Sequence, residues 1–217
     1  EDLATLDGFR RDPALVWDWY RERRDHAARC QPHTGQRSLA LLPKSAAWHE
    51  RVLVATTNED DLLERAGLTS VVHLHGSLFE TACAAGCGWR ERDGDDNSLS
   101  FLPCPRCGAR VRPGSVWFGE PLPATAFAAI TAFAPDACLV VGSSSLVQPV
   151  AAIAPELVLA GHPVVEINPV ETPLSGLVGS RSLRGRAADL LPPLVDLLTS
   201  PVMREQENGG PAVPAGP

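Results

Sequence analysis

The sequence predicts an α/β fold built on a parallel sheet and interrupted once by a small metal-stapled module. Two observations carry this reading. Short β-branched runs alternate with Ala- and Leu-rich segments along most of the chain, which is how the strands and crossover helices of such a sheet read. Between residues 76 and 113 the alternation stops, and two cysteine pairs stand there, Cys83-Ala-Ala-Gly-Cys87 and Cys104-Pro-Arg-Cys107, separated by 16 residues.

Asp12-Pro13 opens the first expected helix, with an acceptor side chain at N-cap and a proline at N1, where an N–H would have no intrahelical partner. Its strongly charged run continues to about residue 29. A second helix is expected over 36–50. Strands are expected over 51–56, 71–74, 138–141 and 164–167, and further helices over 59–66, 123–132, 149–160 and 187–199. After Pro201 the composition turns to Glu, Asn, Gly and Pro, which predicts a disordered tail over 201–217. No internal repeat is present.

At 217 residues and 44% hydrophobic content, the chain can bury one medium core and a small appended module. Its 26 acidic and 19 basic residues give a net charge of -7, which offers no electrostatic footprint for nucleic acid or an anionic membrane, so neither is expected as a partner. No apolar stretch approaches the roughly 18 residues of a spanning helix, and the charged opening is not a signal peptide. A reducing cytoplasm is the expected location, because paired cysteines there hold metal more often than they form disulfides. The chain opens at Glu1 without an initiator methionine, so residues upstream of it are expected.

Four thiolates on two knuckles suit Zn²⁺, which takes soft sulfur ligands at about 2.3 Å in a tetrahedron. Cys83, Cys87, Cys104 and Cys107 are therefore the expected ligands of one structural zinc, with Pro105 and Gly108 forming the second turn. Such a closed site leaves no position for substrate, and its role would be to fold the polar stretch 90–100. Two disulfides, or unrelated buried thiols, are the alternatives. Cys83 and Cys87 have three intervening residues rather than the commoner two. Cys138 begins an apolar run and reads as a small core residue.

Parallel sheets bind ligands beyond the carboxyl ends of their strands. The residues there are Thr57, Asn58, Glu59 and Asp60; His75 and Gly76; Gly142, Ser143, Ser144 and Ser145; and Asn168. Together they offer a small-residue loop able to approach a phosphate or ribose, carboxamides, acids and an imidazole. Taken singly, a Gly-Ser-Ser run is an ordinary turn and a lone histidine is more often structural.

The order of these residues, with Glu64-Arg-Ala-Gly67, Leu74-His-Gly76, the paired cysteines, Arg112-Pro-Gly-Ser-Val-Trp-Phe-Gly-Glu120, Gly142-Ser-Ser-Ser145 and Glu166-Ile-Asn168, resembles the sirtuin family of NAD-dependent protein deacylases over about residues 1–198. The resemblance implies a Rossmann-type domain with an inserted zinc module. Its first part would be 1–75, including the helical opening, the zinc module 76–113, and its second part 114–200. NAD would be the cosubstrate and acylated-lysine proteins the partners. His75 would be the general base, deprotonating a ribose hydroxyl after nicotinamide has left, work to which an imidazole is suited near neutral pH. Asn58 and Asp60, with Thr57 and Glu59 beside them, would serve the nicotinamide end of NAD. Gly142, Ser143 and Ser144 would meet the adenosine ribose and phosphates. Asn168, Pro169 and Val170 would lie against the adenine ribose, and Ala187 could reach adenine through its backbone. Val116, Trp117, Phe118, Gly119 and Glu120 resemble the segment that pairs with the substrate main chain, although Trp117 and Phe118 could equally be core.

Tyr20 and Arg23 resemble the Tyr-x-x-Arg pair of the subgroup that accepts succinyl- and malonyl-lysine. Three residues apart on a helix, phenol and guanidinium share a face and could clamp a terminal carboxylate. The plain alternative is that Arg23 belongs to a solvated charge run from Arg21 to Arg24.

The sequence departs from the family pattern in several places. The Gly-rich phosphate loop and the first Rossmann strand are absent, since this sequence starts just downstream of them, and weak NAD binding by the chain as given is the expectation. Thr57 replaces a glutamine, Glu59 an apolar residue, and Asp61-Leu-Leu63 a Gly-Leu-His. A zinc-bearing module that binds acyl-peptides without turnover, or a protein ADP-ribosyltransferase, would use many of the same residues.

Overall fold

The computed structural model describes residues 3–93 and 101–200. The expected tail 201–217, and residues 94–100 of the polar stretch, lie outside the described residues. In chain order the elements are α1 (Leu6–Arg11), α2 (Pro13–Arg29), α3 (Thr34–Leu39), β1 (Ala55–Thr56), α4 (Leu62–Arg65), β2 (Val72–His73), β3 (Gly76–Cys83), β4 (Arg90–Arg92), β5 (Val111–Ser115), α5 (Ala124–Phe133), β6 (Cys138–Val141), a 3-10 turn (Val150–Ala152), α6 (Ile153–Leu159), β7 (Val164–Asn168), β8 (Ser180–Arg184) and α7 (Ala187–Thr199). Among the described residues no helix is long and apolar enough to cross a membrane.

The chain divides into two compact units. The first comprises residues 1–31, 53–65 and 69–134, and the second residues 32–52, 66–68 and 135–217. Parallel pairing occurs in each. In the first unit β1 and β2 form a two-stranded parallel sheet, and in the second β6, β7 and β8 form a three-stranded parallel sheet in that order.

The first unit is organised by α2. Asp12 caps it, its side chain accepting from the Leu15 N–H at 3.0 Å, and Pro13 takes N1 as expected. Val16, Trp17, Tyr20, Arg24 and Ala27 form its buried stripe, recurring at helical spacing. Val16, Trp17, Tyr20 and Ala27 pack with Phe9, Leu78, Phe79, Val111 and Trp117 into one core. The central strand β3 is buried along almost its whole length because β4 and β5 flank it in an antiparallel sheet ordered β4-β3-β5 and α2 packs against it.

Arg24 corrects the expectation of a solvated run from Arg21 to Arg24. It is 3% exposed and donates to Asp93 Oδ2 at 2.7 Å, to the Glu80 carbonyl at 2.9 Å and to the Leu78 carbonyl. Burial lowers its pKa, but the charge remains matched by Asp93, itself 3% exposed. This ion pair ties α2 to β3.

The second unit packs α3 and α7 together. Pro192 and Pro193 stand inside α7, so Pro192 gives no N–H to the Ala188 carbonyl four residues back. The Thr34 hydroxyl donates to that carbonyl at 2.7 Å and satisfies it from α3. Trp48 Nε1 donates to the Leu198 carbonyl at 2.9 Å near the other end of α7.

The helix expected over 36–50 begins two residues earlier and ends at Leu39, and residues 40–50 form successive turns. His33 supplies an N-terminal capping box with Gln36, and Pro43 cannot continue a helical ladder. The strand expected over 51–56 contracts to Ala55–Thr56, the one over 71–74 to Val72–His73, and the helix over 59–66 to Leu62–Arg65. The strand over 138–141 and the helix over 187–199 have the expected limits.

Candidate functional site

In the first unit, the β1 and β2 ends carry the acids, carboxamide and imidazole singled out from the sequence. His75 lies between β2 and β3, two residues after β2 ends at His73 and immediately before Gly76 opens β3. Its carbonyl accepts from the Val116 N–H at 2.8 Å, and the preceding Leu74 N–H donates to the Thr56 carbonyl at 2.8 Å, so the backbone on both sides of the ring is fixed. Gly76 has a φ of 72°, and an added Cβ would stand 2.2 Å from the Gly114 carbonyl oxygen. No side chain fits the turn that presents His75.

Thr57, Asn58, Glu59 and Asp60 form the loop between β1 and α4. The Asn58 N–H donates to Thr56 Oγ1 at 3.0 Å, the Glu59 carbonyl accepts from the Leu78 N–H at 2.8 Å, and Asp60 Oδ1 accepts from the Leu62 N–H at 3.0 Å at the start of α4. Asn58 is exposed.

His73, which sequence reasoning passed over, braces this loop. Its Nδ1 lies 3.2 Å from the Asn58 carbonyl and its Nε2 2.7 Å from Glu64 Oε1. Both neighbours are acceptors, so both ring nitrogens donate and the imidazolium is the favoured form. The Glu64 hydrogen bond raises the His73 pKa against the opposing effect of burial. Burial pushes Glu64 upward, yet the hydrogen bond and charge of His73 outweigh it and leave the carboxyl below its usual value.

Val116, Trp117, Phe118, Gly119 and Glu120 follow β5. Trp117 is 2% exposed, its ring packed against Phe9 and lying 3.4 Å from the Arg112 guanidinium carbon, whereas Phe118 is exposed. Glu120 binds Arg112 through both carboxylate oxygens and accepts the Trp117 N–H at 2.8 Å. Arg112 also donates to the Ser115 carbonyl at 2.7 Å. The Phe118 N–H donates to the Ala4 carbonyl at 3.0 Å. The segment is thus a turn shaped by one buried arginine, which the sequence displayed but did not mark as structural.

Tyr20 lies in the core. Its oxygen accepts from Trp117 Nε1 at 2.9 Å, and burial, with the nearby Glu59 charge, pushes its pKa up to about 12. Arg23 reaches the surface, stacks on Trp19 at 4.7 Å from the ring centroid, and pairs with Glu59 at 2.9 Å.

The four cysteines meet in the same unit. Their sulfurs all lie within 4.8 Å of one another, with 3.5 Å between Cys83 and Cys107 and 3.6 Å between Cys87 and Cys104. Zn–S bonds of about 2.3 Å in a tetrahedron put sulfurs about 3.8 Å apart, so the cluster has the size the ion requires. Every cysteine is free, which removes the disulfide alternative. The Cys87 and Ala85 backbones direct hydrogen bonds at Cys83 and lower its pKa to about 6, against burial. Two turns closed by the Gly86 N–H to the Cys83 carbonyl and the Gly108 N–H to the Cys104 carbonyl supply the ligands. The cluster has the donors and the spacing to hold one structural zinc closed by protein sulfur.

In the second unit, Gly142, Ser143, Ser144 and Ser145 follow β6, and Asn168, Pro169 and Val170 follow from β7. Gly142 has a φ of 64° and its N–H donates to the Ile167 carbonyl at 2.9 Å. Asn168, nearly buried, donates from Nδ2 to the Ser143 carbonyl at 2.7 Å and accepts the Val170 N–H at 3.2 Å, so its side chain joins the two loops. Gly142, Ser144, Pro169 and Val170 are exposed, and Ala187 begins α7.

Glu166 also went unassigned from the sequence. It is fully buried and accepts from Ser175 at 2.5 Å, Ser182 at 3.0 Å and the Thr172 hydroxyl. Burial raises its pKa, but the three hydroxyls outweigh that and hold the carboxyl below its usual value. An ionised group here anchors the 169–175 loop to β7 and β8.

One unit thus holds a three-stranded parallel sheet whose loops carry Gly142–Ser145 and Asn168, and the other holds His75 and the four-cysteine cluster at opposite ends of β3. The family model described as Sir2 family matches residues 1–149. The chain belongs to the Sir2 family. Across 211 residues this Sir2 chain is 41% identical to the NAD-dependent protein deacylase Sir2 of Mycolicibacterium smegmatis, covering 91% of the chain and 82% of that relative. A crystal structure of a Sir2 homologue–NAD complex superposes with a TM-score of 0.81 at 35% identity, covering 91% of this chain and 77% of that one. A Sir2 homologue mutant in complex with 2′-O-acetyl-ADP-ribose superposes at 0.80 and 34% identity, covering 95% and 80%. The Rossmann-like α/β fold expected from the sequence is the fold of these relatives.

Proposed function

We propose that this Sir2 chain is an NAD-dependent protein-lysine deacylase that removes succinyl and malonyl groups, and acetyl groups less readily, from cytoplasmic proteins. The observation that carries the reading is the 41% identity, over nine-tenths of the chain, to a relative named as a deacylase. That similarity favours deacylation over a silent binding module or an ADP-ribosyltransferase.

NAD supplies an activated ribose carbon and nicotinamide as leaving group, and the acyl oxygen of the lysine amide is the group it captures. His75 is the general base, taking a proton from a ribose hydroxyl. Asn58 and Asp60, with Thr57 and Glu59, serve the nicotinamide end. Gly142, Ser143, Ser144, Asn168, Pro169, Val170 and Ala187 serve the adenosine end. One water is consumed in releasing the amine, and the products are free lysine, nicotinamide and O-acyl-ADP-ribose. The exposed Phe118 and Gly119, on the turn fixed by Arg112, meet the peptide main chain. Zinc, held by Cys83, Cys87, Cys104 and Cys107, keeps the knuckles folded and takes no part in the reaction.

Arg23, the exposed member of the Tyr20–Arg23 pair, receives the terminal carboxylate of an acidic acyl group, and the buried Tyr20 beneath it offers a hydrogen bond from the core side. Trp117 donates to the Tyr20 oxygen and leaves the phenolic hydrogen as a donor, while Arg23 is half exposed. Losing one charge-assisted bond costs about 1.5–3 kcal/mol, so Arg23→Met should narrow the preference for succinyl- over acetyl-lysine by a factor of roughly 10 to 150. Mass spectrometry of the products formed from NAD and matched succinyl- and acetyl-peptides tests the whole reading. Equal use of both peptides would refute the acyl preference, and ADP-ribosylated peptide would point to transfer instead.

A further inference from the structure

The arginine assigned above to the acyl carboxylate already meets a carboxylate of its own chain. Arg23 Nη2 donates to Glu59 Oε2 at 2.9 Å, with side-chain exposures of 43% and 17%. Glu59 is well placed to hold this contact, because its carbonyl is fixed to the Leu78 N–H, and Arg23 is flattened onto Trp19. The same carboxylate is close enough to Tyr20 to bear on the phenol as a negative charge. Where the sirtuin pattern carries an apolar residue, this chain therefore places an acid on the accessible half of the Tyr20–Arg23 pair.

We propose that Glu59 is a specificity-determining residue, an internal competitor that occupies Arg23 and tempers the preference for acidic acyl groups. This rests on the reading that Arg23 receives the acyl carboxylate. An incoming succinyl or malonyl group has either to displace Glu59 from the guanidinium or to share it with a like charge nearby. A neutral acetyl group meets neither obstacle. Glu59 thus lowers the ratio of acidic to neutral acyl binding below what Tyr20 and Arg23 alone would give.

The test reads binding of matched succinyl- and acetyl-lysine peptides by fluorescence anisotropy without NAD, so that the neighbourhood of Glu59 to the proposed nicotinamide residues does not enter. Glu59→Gln should raise the succinyl-to-acetyl affinity ratio about tenfold, the equivalent of about 1.4 kcal/mol. Glu59→Asp, which keeps the charge on a shorter arm, should give a smaller rise, and serves if the glutamine variant does not fold. In an Arg23→Met background the rise should vanish. An unchanged or lowered ratio in Glu59→Gln, or the same rise without Arg23, overturns the proposal. If Arg23→Met leaves the ratio unaltered even when residue 59 is glutamine, the acyl-carboxylate reading itself fails and takes the proposal with it.

Discussion

Asp93→Ala should destabilise the protein by about 3–5 kcal/mol, because it removes the Asp93 carboxylate from the buried Arg24 guanidinium. The geometry sets that scale. Both residues are 3% exposed, their ion pair is 2.7 Å long, and Thr81, fully buried, also donates to Asp93 at 3.2 Å. Water cannot readily replace the lost oxygen at such depth. Arg24 would keep its bonds to the Leu78 and Glu80 carbonyls, which orient the guanidinium without neutralising it. At about 2–4 °C per kcal/mol for a chain of this size, the midpoint should fall by roughly 6–20 °C. Denaturant unfolding followed by tryptophan fluorescence is a suitable assay, since the buried Trp17 and Trp117 belong to the core that the pair supports. Combining Arg24→Met with Asp93→Ala should cost less than the sum of the single changes by about 1–3 kcal/mol. A loss below about 1 kcal/mol for Asp93→Ala, or strict additivity in the double variant, would refute the reasoning.

Native mass spectrometry should find one zinc per chain, and Cys104→Ala should lose both the metal and the folded knuckle; a metal-free wild type would contradict this. The His73–Glu64 pair should stabilise most between about pH 4.5 and 6.5, the ordinary values of the two groups. Its histidine part is complete below 6.5 and lost as pH rises through the raised folded value, and its glutamate part is complete above 4.5 and lost as pH falls through the lowered one. Glu64→Gln should therefore cost about 0.5–1 kcal/mol at pH 5.5 and less at pH 9, and an equal cost at both would disprove the charge assignment.

The elements that local chemistry specifies were legible in the sequence. Asp12-Pro13 fixes the start of α2, and the apolar run from Cys138 fixes β6, because capping and β-branched packing act over a few residues. The cysteine spacing likewise announced a cluster that the fold closes. What escaped depends on distant chain. Arg24 reads as a surface charge until Leu78 and Asp93, more than fifty residues on, close around it. Glu166 sits in an apolar strand, and only the fold brings Thr172, Ser175 and Ser182 to its oxygens. The strand β8 is mostly exposed and carries no apolar alternation, so nothing local distinguished it from a loop. Glu59 stood out only as an unusual residue beside Asn58, and its pairing with Arg23 across the fold is what gives it meaning.

The central claim is that His75 is the base of an NAD-dependent deacylation. Its most direct test is product analysis of wild type and His75→Ala, each at NAD concentrations high enough to overcome the weak binding expected of this chain, with a succinyl-lysine peptide, and with circular dichroism and zinc content checked in parallel. The account predicts equal amounts of nicotinamide, free-lysine peptide and O-succinyl-ADP-ribose from the wild type, and loss of all deacylation in a variant that keeps its fold and metal. Near wild-type turnover by His75→Ala, or deacylation that proceeds without NAD, would contradict it.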